Sequence, residues 1–356
     1  MRNNIGIDMM KWGYRHIGKP LVFHMEPDDA HESMMKFCRV SGNIPPLMWM
    51  LHLMTTIQSR HLERDLMGLH FTNPFGLSAG LDKTGDLVRC LDEAGFGFET
   101  FGTVTGTHSD GNPRPWYHRL PQYDSLLIHA GLPSDGVDVV APRAAHWKRR
   151  NGMILSGSCG PSNKPYDNGI DGIIEDTMLA FKGMMKTEGV DMAEINISCP
   201  NLQYGEPFMD IKVLTTLFDE IAEQHPSKPI MVKMPSTMNV SELEPILDIL
   251  ASNEYIKGVS VSNLRKDRTG LDIPHEWLGN ISGAPTAECN ESAIPFVRKH
   301  YGNRFVINGI GGTFTTDDAL RKLDMGADLV SGITAFMYKG PQTLAEWKRG
   351  YVQTVS

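Results

Sequence analysis

Eight short runs of apolar and β-branched residues alternate along the chain with amphipathic helical patterns, and this alternation restricts the fold more than any other feature. The helical patterns include Gly172–Thr187, Asp210–Gln224, Ser241–Asn253 and Thr315–Asp324. The eight predicted strands are Pro74–Gly80, Phe98–Thr103, Met153–Ser158, Met192–Ser198, Pro229–Met234, Lys257–Asn263, Arg304–Asn308 and Asp328–Thr334. A strand followed by a helix, eight times over, predicts an α/β fold in which a parallel sheet closes into a (β/α)8 or TIM barrel.

The length of 356 residues fits either two average domains or one such barrel with additions. Because all eight runs lie after residue 66, we predict a barrel over residues 67–356 and a small helical N-terminal cap over residues 1–66. The connection after the second run is the longest. Its Gly- and Pro-rich stretch Gly106–Pro142 predicts an excursion beyond a simple helical return.

The N-terminal segment contains two predicted helices. The first begins with acidic residues at Glu26–Asp29 and continues over Ala30–Val40, and the second covers Leu47–Ile57, which is apolar nearly all round. The side of the first helix that we expect to be apolar carries Met34, Met35, Phe37 and Cys38. These helices could form a packing cap, or an amphipathic hairpin that enters a membrane interface or lines a tunnel for an apolar substrate.

Composition excludes several classes of protein. With 34 Lys and Arg against 42 Asp and Glu the formal net charge is −8, which argues against nucleic-acid binding. The five Cys include no C-x-x-C pair, and the His residues lack metal-ligand spacing, so we expect reduced thiols and no metal. The longest apolar stretch, Ile44–Ile57, is too short to span a bilayer. We expect a cytoplasmic protein, with peripheral contact to the inner face of a membrane left open.

The residues at the C-terminal ends of the predicted strands are small, amide-bearing or basic. In a (β/α)8 barrel these ends carry the chemistry. Such a set suits a large planar ligand that needs exposed backbone and several hydrogen bonds, and the last two loops lie where barrels commonly hold a phosphate. The residues are Ala79, Gly80, Lys83, Thr103, Ser158, Asn196, Cys199, Lys233, Ser262, Asn263, Gly311, Gly312 and Thr334.

The hexapeptide Asn196–Asn201 places a cysteine between two amides at a strand end. Cys199 there could act as a general base, or be an inert, small apolar side chain. Lys83 and Lys233 follow buried strands, where an ammonium without a partner is unfavourable. Each could serve the site or pair with a neighbouring carboxylate.

Taken together, these motifs resemble the dihydroorotate dehydrogenase family over about residues 20–345. The resemblance implies an FMN-dependent barrel enzyme of pyrimidine biosynthesis that oxidises dihydroorotate to orotate. The motifs that carry it are Ser78–Lys83, Gly102–Thr105, Gly111–Pro115, Asn196–Asn201, Ile281–Gly283 and Lys339–Pro341.

The resemblance also implies the roles of individual residues. Cys199 would take a proton from the carbon beside the substrate carbonyl, and Lys233 would stabilise negative charge on the reduced flavin. Asn201–Asp210 would form a lid that excludes water. The substrate would be held by Lys83, Asn196, Asn201 and Asn263, and Lys83 would have a catalytic role as well. FMN would contact Ala79, Gly80, Lys83, Thr103, Ser158, Asn196, Lys233, Ser262, Gly283, Gly311, Gly312, Ile333 and Thr334, with the phosphate between Gly311 and Thr334.

The chain mixes features of two branches of that family. Glu26–His31 resembles the membrane-associated, quinone-reducing branch, in which His31 and Arg119 match residues that line a quinone tunnel. That branch normally has Ser as the base, where this chain has Cys199 as in the soluble branch. A tunnel Tyr is replaced by Ile333.

The predicted substrate pocket departs from the family pattern. Ile128 stands at an Asn position, Leu132 at a Phe position and Leu264 at a Thr position, with His129 beside them. Two lost hydrogen bonds would weaken orotate binding by roughly 2–6 kcal/mol. Three functions therefore stay open: dihydroorotate oxidation, with quinone as one acceptor; FMN chemistry on a different, less polar C–C bond beside a carbonyl; and ligand binding without turnover.

Overall fold

The eight predicted strands form one closed parallel barrel in a computed structural model that describes residues 2–355. Met1 and Ser356, which belong to the predicted cap and barrel, lie outside the described residues. The strands are β1 (Arg64–Leu66), β2 (Leu69–Phe71), β3 (Phe75–Leu77), β4 (Phe98–Thr105), β5 (Tyr117–Leu120), β6 (Ser125–Ile128), β7 (Ile154–Gly160), β8 (Met192–Asn196), β9 (Ile230–Lys233), β10 (Ile256–Val261), β11 (Asn280–Gly283), β12 (Val306–Ile310) and β13 (Leu329–Gly332). The barrel order is β3-β4-β7-β8-β9-β10-β12-β13, and β13 pairs back onto β3. The predicted (β/α)8 fold is confirmed.

Helices surround the barrel and precede it. They are α1 (Arg2–Gly13), α2 (Lys19–His24), α3 (Pro27–Ser41), α4 (Pro45–Thr55), α5 (Val88–Ala94), α6 (Val137–Ala145), α7 (Ile170–Lys186), α8 (Ile211–Glu223), α9 (Glu244–Ser252), α10 (Ala287–Tyr301), α11 (Thr316–Asp324), α12 (Thr334–Lys339) and α13 (Thr343–Val355). The two predicted N-terminal helices correspond to α3 and α4. No helix among residues 2–355 combines the length and the apolarity needed to cross a bilayer.

The N-terminal cap differs from the prediction in two respects. Arg2–Gly13 has no amphipathic repeat, yet it forms α1, because Gly6 lets its backbone approach α4 closely: a Cβ there would lie 2.9 Å from Met54 Cα. On α3, Met35 is buried whereas Phe37 is 64% exposed. The prediction that both lie on one apolar side of this helix is therefore wrong. Residues two apart on a helix point in nearly opposite directions.

The interior of the barrel is layered because side chains alternate along each strand. On β8, Met192 lies in an apolar floor, Glu194 lies above it, and Asn196 reaches the mouth. The floor consists of Phe71, Phe98, Ile154, Met192, Met231 and Leu329. Above it a chain of hydrogen bonds crosses the barrel: Ser260 Oγ donates to Glu194 Oε2 (2.6 Å), Asn308 Nδ2 to Ser260 Oγ (3.3 Å), and Ser331 Oγ to Asn308 Oδ1 (3.0 Å).

Two smaller sheets flank the barrel. β1 and β2 form a hairpin that crosses the predicted boundary at residue 66. The boundary itself stays a prediction. The ring of Phe71 on β2 packs edge-on against the ring of Phe98, with 6.0 Å between the ring centroids. The predicted excursion Gly106–Pro142 contains the hairpin β5–β6 and the start of α6, which ends at Ala145. Strand β6 pairs antiparallel with β11 from a later connection.

The floor generates a prediction about stability. Replacing the fully buried Phe71 by Ala leaves a cavity under the barrel, so we expect Phe71→Ala to lower the free energy of unfolding by about 3–5 kcal/mol. Phe37→Ala is the matched control, because its exposed ring should change stability by less than about 0.5 kcal/mol. Urea unfolding of both variants measures the difference, and equal losses would contradict the layered interior.

Candidate active site

A single cavity of about 1170 Å³, its open mouth included, lies at the C-terminal ends of the barrel strands. It brings together residues at or after the ends of every barrel strand except β7, as expected where parallel strands end in a ring. Most of the predicted site residues line it. They are His31, Ala79, Gly80, Lys83, Thr103, Ile128, Leu132, Asn196, Cys199, Asn201, Lys233, Ser262, Asn263, Leu264, Gly283, Gly311, Gly312, Ile333 and Thr334.

Three predicted residues do not line the cavity. Ser158 lies behind Thr103, with its hydroxyl 3.2 Å from Thr103 Oγ1. His129 faces Asn112, whose amide nitrogen is 3.4 Å from His129 Nδ1. Arg119 binds the end of α2 through the carbonyl oxygens of Val22 (3.1 Å), Phe23 (3.4 Å) and Met25 (2.7 Å).

Lys83 is positioned by the loop that follows β3. The buried carboxylate of Asp82 accepts hydrogen bonds from the backbone N–H groups of Thr84, Gly85, Asp86 and Leu87, at 2.7–3.1 Å. This fixes the loop, and Lys83 Nζ donates to the hydroxyl of Tyr117. Burial lowers the pKa of Lys83 to about 7, although the charge of Asp28 opposes that shift.

Asn196 is oriented by a chain of short polar contacts at the cavity wall. Its Nδ2 donates to Thr103 Oγ1 (2.8 Å), while its Oδ1 accepts from the backbone of Ser198 (3.3 Å) and from Asn263 Nδ2 (3.3 Å). Asn263 also donates to the carbonyl of Ser198 (2.7 Å). The two amides are therefore fixed before any ligand binds.

Cys199 lies at the cavity with only 8% of its surface exposed. The backbone N–H of Asn201 donates to its sulfur, but burial dominates and raises the pKa of the thiol to about 11. Lys233 is the nearby positive charge that favours the thiolate, and its Nζ donates to the carbonyl of Ala79 (3.4 Å). The thiol can serve as a base once it is deprotonated.

Gly311 and Gly312 line the cavity, and only glycine fits at either position. Both residues have positive φ, +87° and +65°, and a Cβ on them would lie 2.3 Å from Thr286 Oγ1 and 2.5 Å from Ala287 Cβ. The buried hydroxyl of Ser262, also at the cavity, has no hydrogen-bond partner among the described residues. Cavity-lining glycines, a hydroxyl without a partner and nearby lysines fit a flavin with its phosphate.

His31 connects the cavity to the N-terminal cap. It lies on α3, lines the cavity, and bonds through Nε2 to the carbonyl of Leu81 at 2.8 Å. Burial, reinforced by the charge of Lys83, lowers the pKa of His31 to about 4, so its ring is neutral. The cavity therefore reaches from the barrel mouth to the cap.

The strand-end pattern did not point to two residues near Lys83, one at the cavity and one behind it. Tyr117 on β5 lines the cavity beside Lys83, and Asp28 on α3 accepts from the backbone N–H of Trp116 (3.1 Å). Neither follows a barrel strand, so the pattern of strand ends carries no signal for them. The length of the excursion after the second strand is the one indication that extra structure covers this side.

Comparison with known proteins identifies the family and agrees with the fold. A family model described as dihydroorotate dehydrogenase matches residues 61–353. A dihydroorotate dehydrogenase (quinone) of Christiangramia forsetii is 30% identical over 340 residues, covering 94% of this chain and 97% of that protein. One from Bordetella avium is 31% identical over 343 residues, covering 93% and 95%.

A solved structure supports the fold alone. The crystal structure of DHODH from Eimeria tenella in complex with ferulenol matches with a TM-score of 0.79 and 22% identity over 94% of each chain. The family model and the two relatives cover the barrel with its site. The chain therefore belongs to the dihydroorotate dehydrogenase family, oxidoreductases that act on CH–CH bonds and whose reaction is the oxidation of dihydroorotate.

Proposed function

We propose that this chain oxidises dihydroorotate to orotate with FMN as its flavin and a quinone as electron acceptor. Enzymes of this family are flavin-dependent. The observation that carries the proposal is the meeting, in one cavity, of Cys199, the two lysines Lys83 and Lys233, and the bare backbone of Gly311 and Gly312. When bound, FMN supplies the acceptor for the hydride that leaves the substrate.

The protein's own groups would bind and deprotonate the substrate. Cys199 Sγ, as thiolate, takes the proton from the carbon beside the carbonyl, while Lys83 and the amides of Asn196, Asn201 and Asn263 hold the substrate's carboxylate and amide groups. Because these amides are already oriented by the protein, little ordering is needed on binding.

FMN would be held by the residues at the strand ends. Gly311, Gly312 and Thr334 would receive the phosphate, Ser262 would offer its unpartnered hydroxyl, and Lys233 would stabilise negative charge near the ring. The remaining contacts are proposed from Ala79, Gly80, Lys83, Thr103, Asn196, Gly283 and Ile333, with Ser158 acting through Thr103.

Asn201–Asp210 would form a lid, and three contacts tie this segment to its neighbours. Tyr204 donates its hydroxyl to the carbonyl of Ser162 (2.9 Å), the backbone N–H of Gln203 donates to Asn163 (2.8 Å), and Lys266 pairs with Glu206. A closed lid excludes water, which strengthens the electrostatic interactions inside.

A quinone would reach the cavity from the cap. His31 connects α3 to the cavity, and its neutral ring suits an apolar acceptor. Arg119 would act indirectly, by anchoring α2 beside this route. The relatives named as quinone enzymes support this acceptor.

We further propose that the cap lies on a membrane surface. α1 to α4 expose a set of large apolar side chains, and the net charge of −8 makes apolar rather than electrostatic contact the driving force. The exposed side chains in this region are Ile5, Met9, Trp12, Ile17, Leu21, Phe37, Val40, Ile44, Trp49, Met50 and Leu53.

A second candidate function rests on the cavity wall. Ile128, Leu132 and Leu264 all line the cavity, as the sequence indicated, and make that wall apolar. This favours a less polar substrate with the same C–C bond chemistry.

If Cys199 is the base, its removal should slow flavin reduction by the substrate. Cys199→Ala should keep the bound flavin but lower the rate of its anaerobic reduction by dihydroorotate at least about 100-fold, because the proton acceptor is lost. Cys289→Ala is the control, since Cys289 is buried on α10 outside the cavity. Equal reduction rates in the Cys199 variant and the parent would remove Cys199 from the mechanism.

The high pKa of Cys199 generates a second prediction. Because the thiolate fraction grows about tenfold per pH unit below a pKa of about 11, the flavin reduction rate should rise steeply from about pH 7 to 10 without a plateau. Rapid mixing with saturating dihydroorotate measures it. Levelling off near pH 8 would mean a base with an ordinary or lowered pKa.

The cap generates a third prediction. The double variant Trp49→Ser, Leu53→Ser should bind neutral phosphatidylcholine vesicles at least about tenfold more weakly, because each side chain contributes about 1.5–3 kcal/mol when buried. Leu179→Ser on α7, also an exposed apolar residue, should leave binding unchanged. Co-sedimentation measures this, and unchanged binding of the double variant would exclude α4 as the anchor.

A further inference from the structure

Asn280, at the start of β11, stands directly opposite Ile128 of β6 in an antiparallel pair. Residues that face each other in this way project their side chains from the same side of the sheet. The side chain of Ile128 lines the cavity, so that of Asn280 points to the same side. Asn280 itself does not line the cavity, because one residue lies between its side chain and the cavity.

That residue is Asn201, whose side-chain amide is held at both ends. Asn280 Nδ2 donates to Asn201 Oδ1 at 2.7 Å, and Asn201 Nδ2 donates to the carbonyl of Ile128 at 3.0 Å. A further side-chain hydrogen bond joins Asn201 to the ring of His129. Its backbone carbonyl accepts from Asn112 Nδ2 at 2.9 Å. Asn201 is 93% buried and lines the cavity. These contacts therefore decide on which side its Oδ1 and its Nδ2 lie.

The orientation of the Asn201 amide matters because the cavity offers a ligand few other side-chain N–H donors. Asn263 uses its N–H groups on Ser198 and Asn196, and its Oδ1 accepts from the backbone of Leu264 (2.9 Å). Asn201, in contrast, uses one of its two Nδ2–H groups on Ile128 and keeps the second for a ligand. A flip of the amide would replace that donor by an acceptor.

We propose that Asn280 is a positioning residue for substrate binding, which acts by fixing the amide of Asn201. Its donation to Asn201 Oδ1 holds Asn201 Nδ2 towards the Ile128 carbonyl and leaves the second N–H to a carbonyl oxygen of the substrate ring. This assignment rests on the proposed function, because dihydroorotate carries the carbonyl groups that such a donor recognises. It also means that β11, outside the barrel, sets substrate affinity.

The test uses the FMN-loaded full chain and anaerobic rapid mixing with dihydroorotate, which separates the substrate Kd from the limiting reduction rate. Asn280→Asp removes the donor and faces Asn201 Oδ1 with a carboxylate, so the Asn201 amide should flip. We expect Kd to rise at least about tenfold, as for one lost buried hydrogen bond, with the limiting rate within about threefold of the parent. Asn280→Ala should raise Kd by a smaller factor.

Two controls separate positioning from folding. Asn303→Asp makes the same charge change at an exposed asparagine before β12, and it should leave Kd unchanged. Asn280→Gln, which keeps an amide donor, should recover part of the affinity. Flavin content and melting temperature are measured for every variant, because a merely structural role would change them and not Kd.

The outcomes distinguish this inference from the function on which it rests. If the parent reduces its flavin with dihydroorotate but Asn280→Asp and Asn280→Ala keep the parent's Kd, the positioning role is wrong and the proposed function stands. If both variants lose their flavin or fail to fold, the role of Asn280 is structural and the inference is likewise overturned. If the parent itself is not reduced by dihydroorotate, the proposed function fails and this assignment fails with it.

Discussion

The pairing of β13 with β3 closes the barrel, and the site depends on that closure. Val330, Ser331 and Gly332 lie in register with Phe75, Gly76 and Leu77, so the last strand end and the first become neighbours. This places the glycine loops near the C-terminus beside Lys83, which follows β3. Without it the proposed phosphate loops and the lysine would belong to opposite edges of an open sheet. The alternation of side chains along each strand then sorts an apolar floor, a polar layer and the cavity into successive levels.

The electrostatics of the cavity follow from burial more than from charge pairs. Burial lowers the pKa of Lys83 and of His31 and raises that of Cys199, so each group is pushed towards its neutral form. In the proposed reaction, the neutral histidine on the cap side would suit an apolar acceptor, and the neutral thiol would give activity that grows with pH. The two sides of one cavity thus favour the two different partners of the proposed reaction.

The barrel and most of the site could be predicted from the sequence because both depend on local patterns. A lysine after an apolar strand, such as Lys233, or a cysteine between amides, such as Cys199, is visible in a few consecutive residues. Tyr117 and Asn280 could not be found in this way, since each reaches the site only through the β5–β6–β11 sheet, which pairs distant segments. Helix α1 was missed because its packing on α4, and no periodic apolar face, stabilises it. Phe37 was misplaced because residues two apart cannot share one face of a helix.

We propose that this cavity carries out dihydroorotate oxidation on bound FMN. The most direct measurement is an anaerobic titration of the purified, FMN-loaded chain with dihydroorotate, with the flavin spectrum and the orotate formed recorded together. We expect the flavin to be bleached completely, with one orotate formed for each flavin reduced. A flavin that stays oxidised at millimolar dihydroorotate, in a protein that binds FMN, would contradict dihydroorotate oxidation by this cavity. The apolar wall of Ile128, Leu132 and Leu264 would then indicate a different substrate.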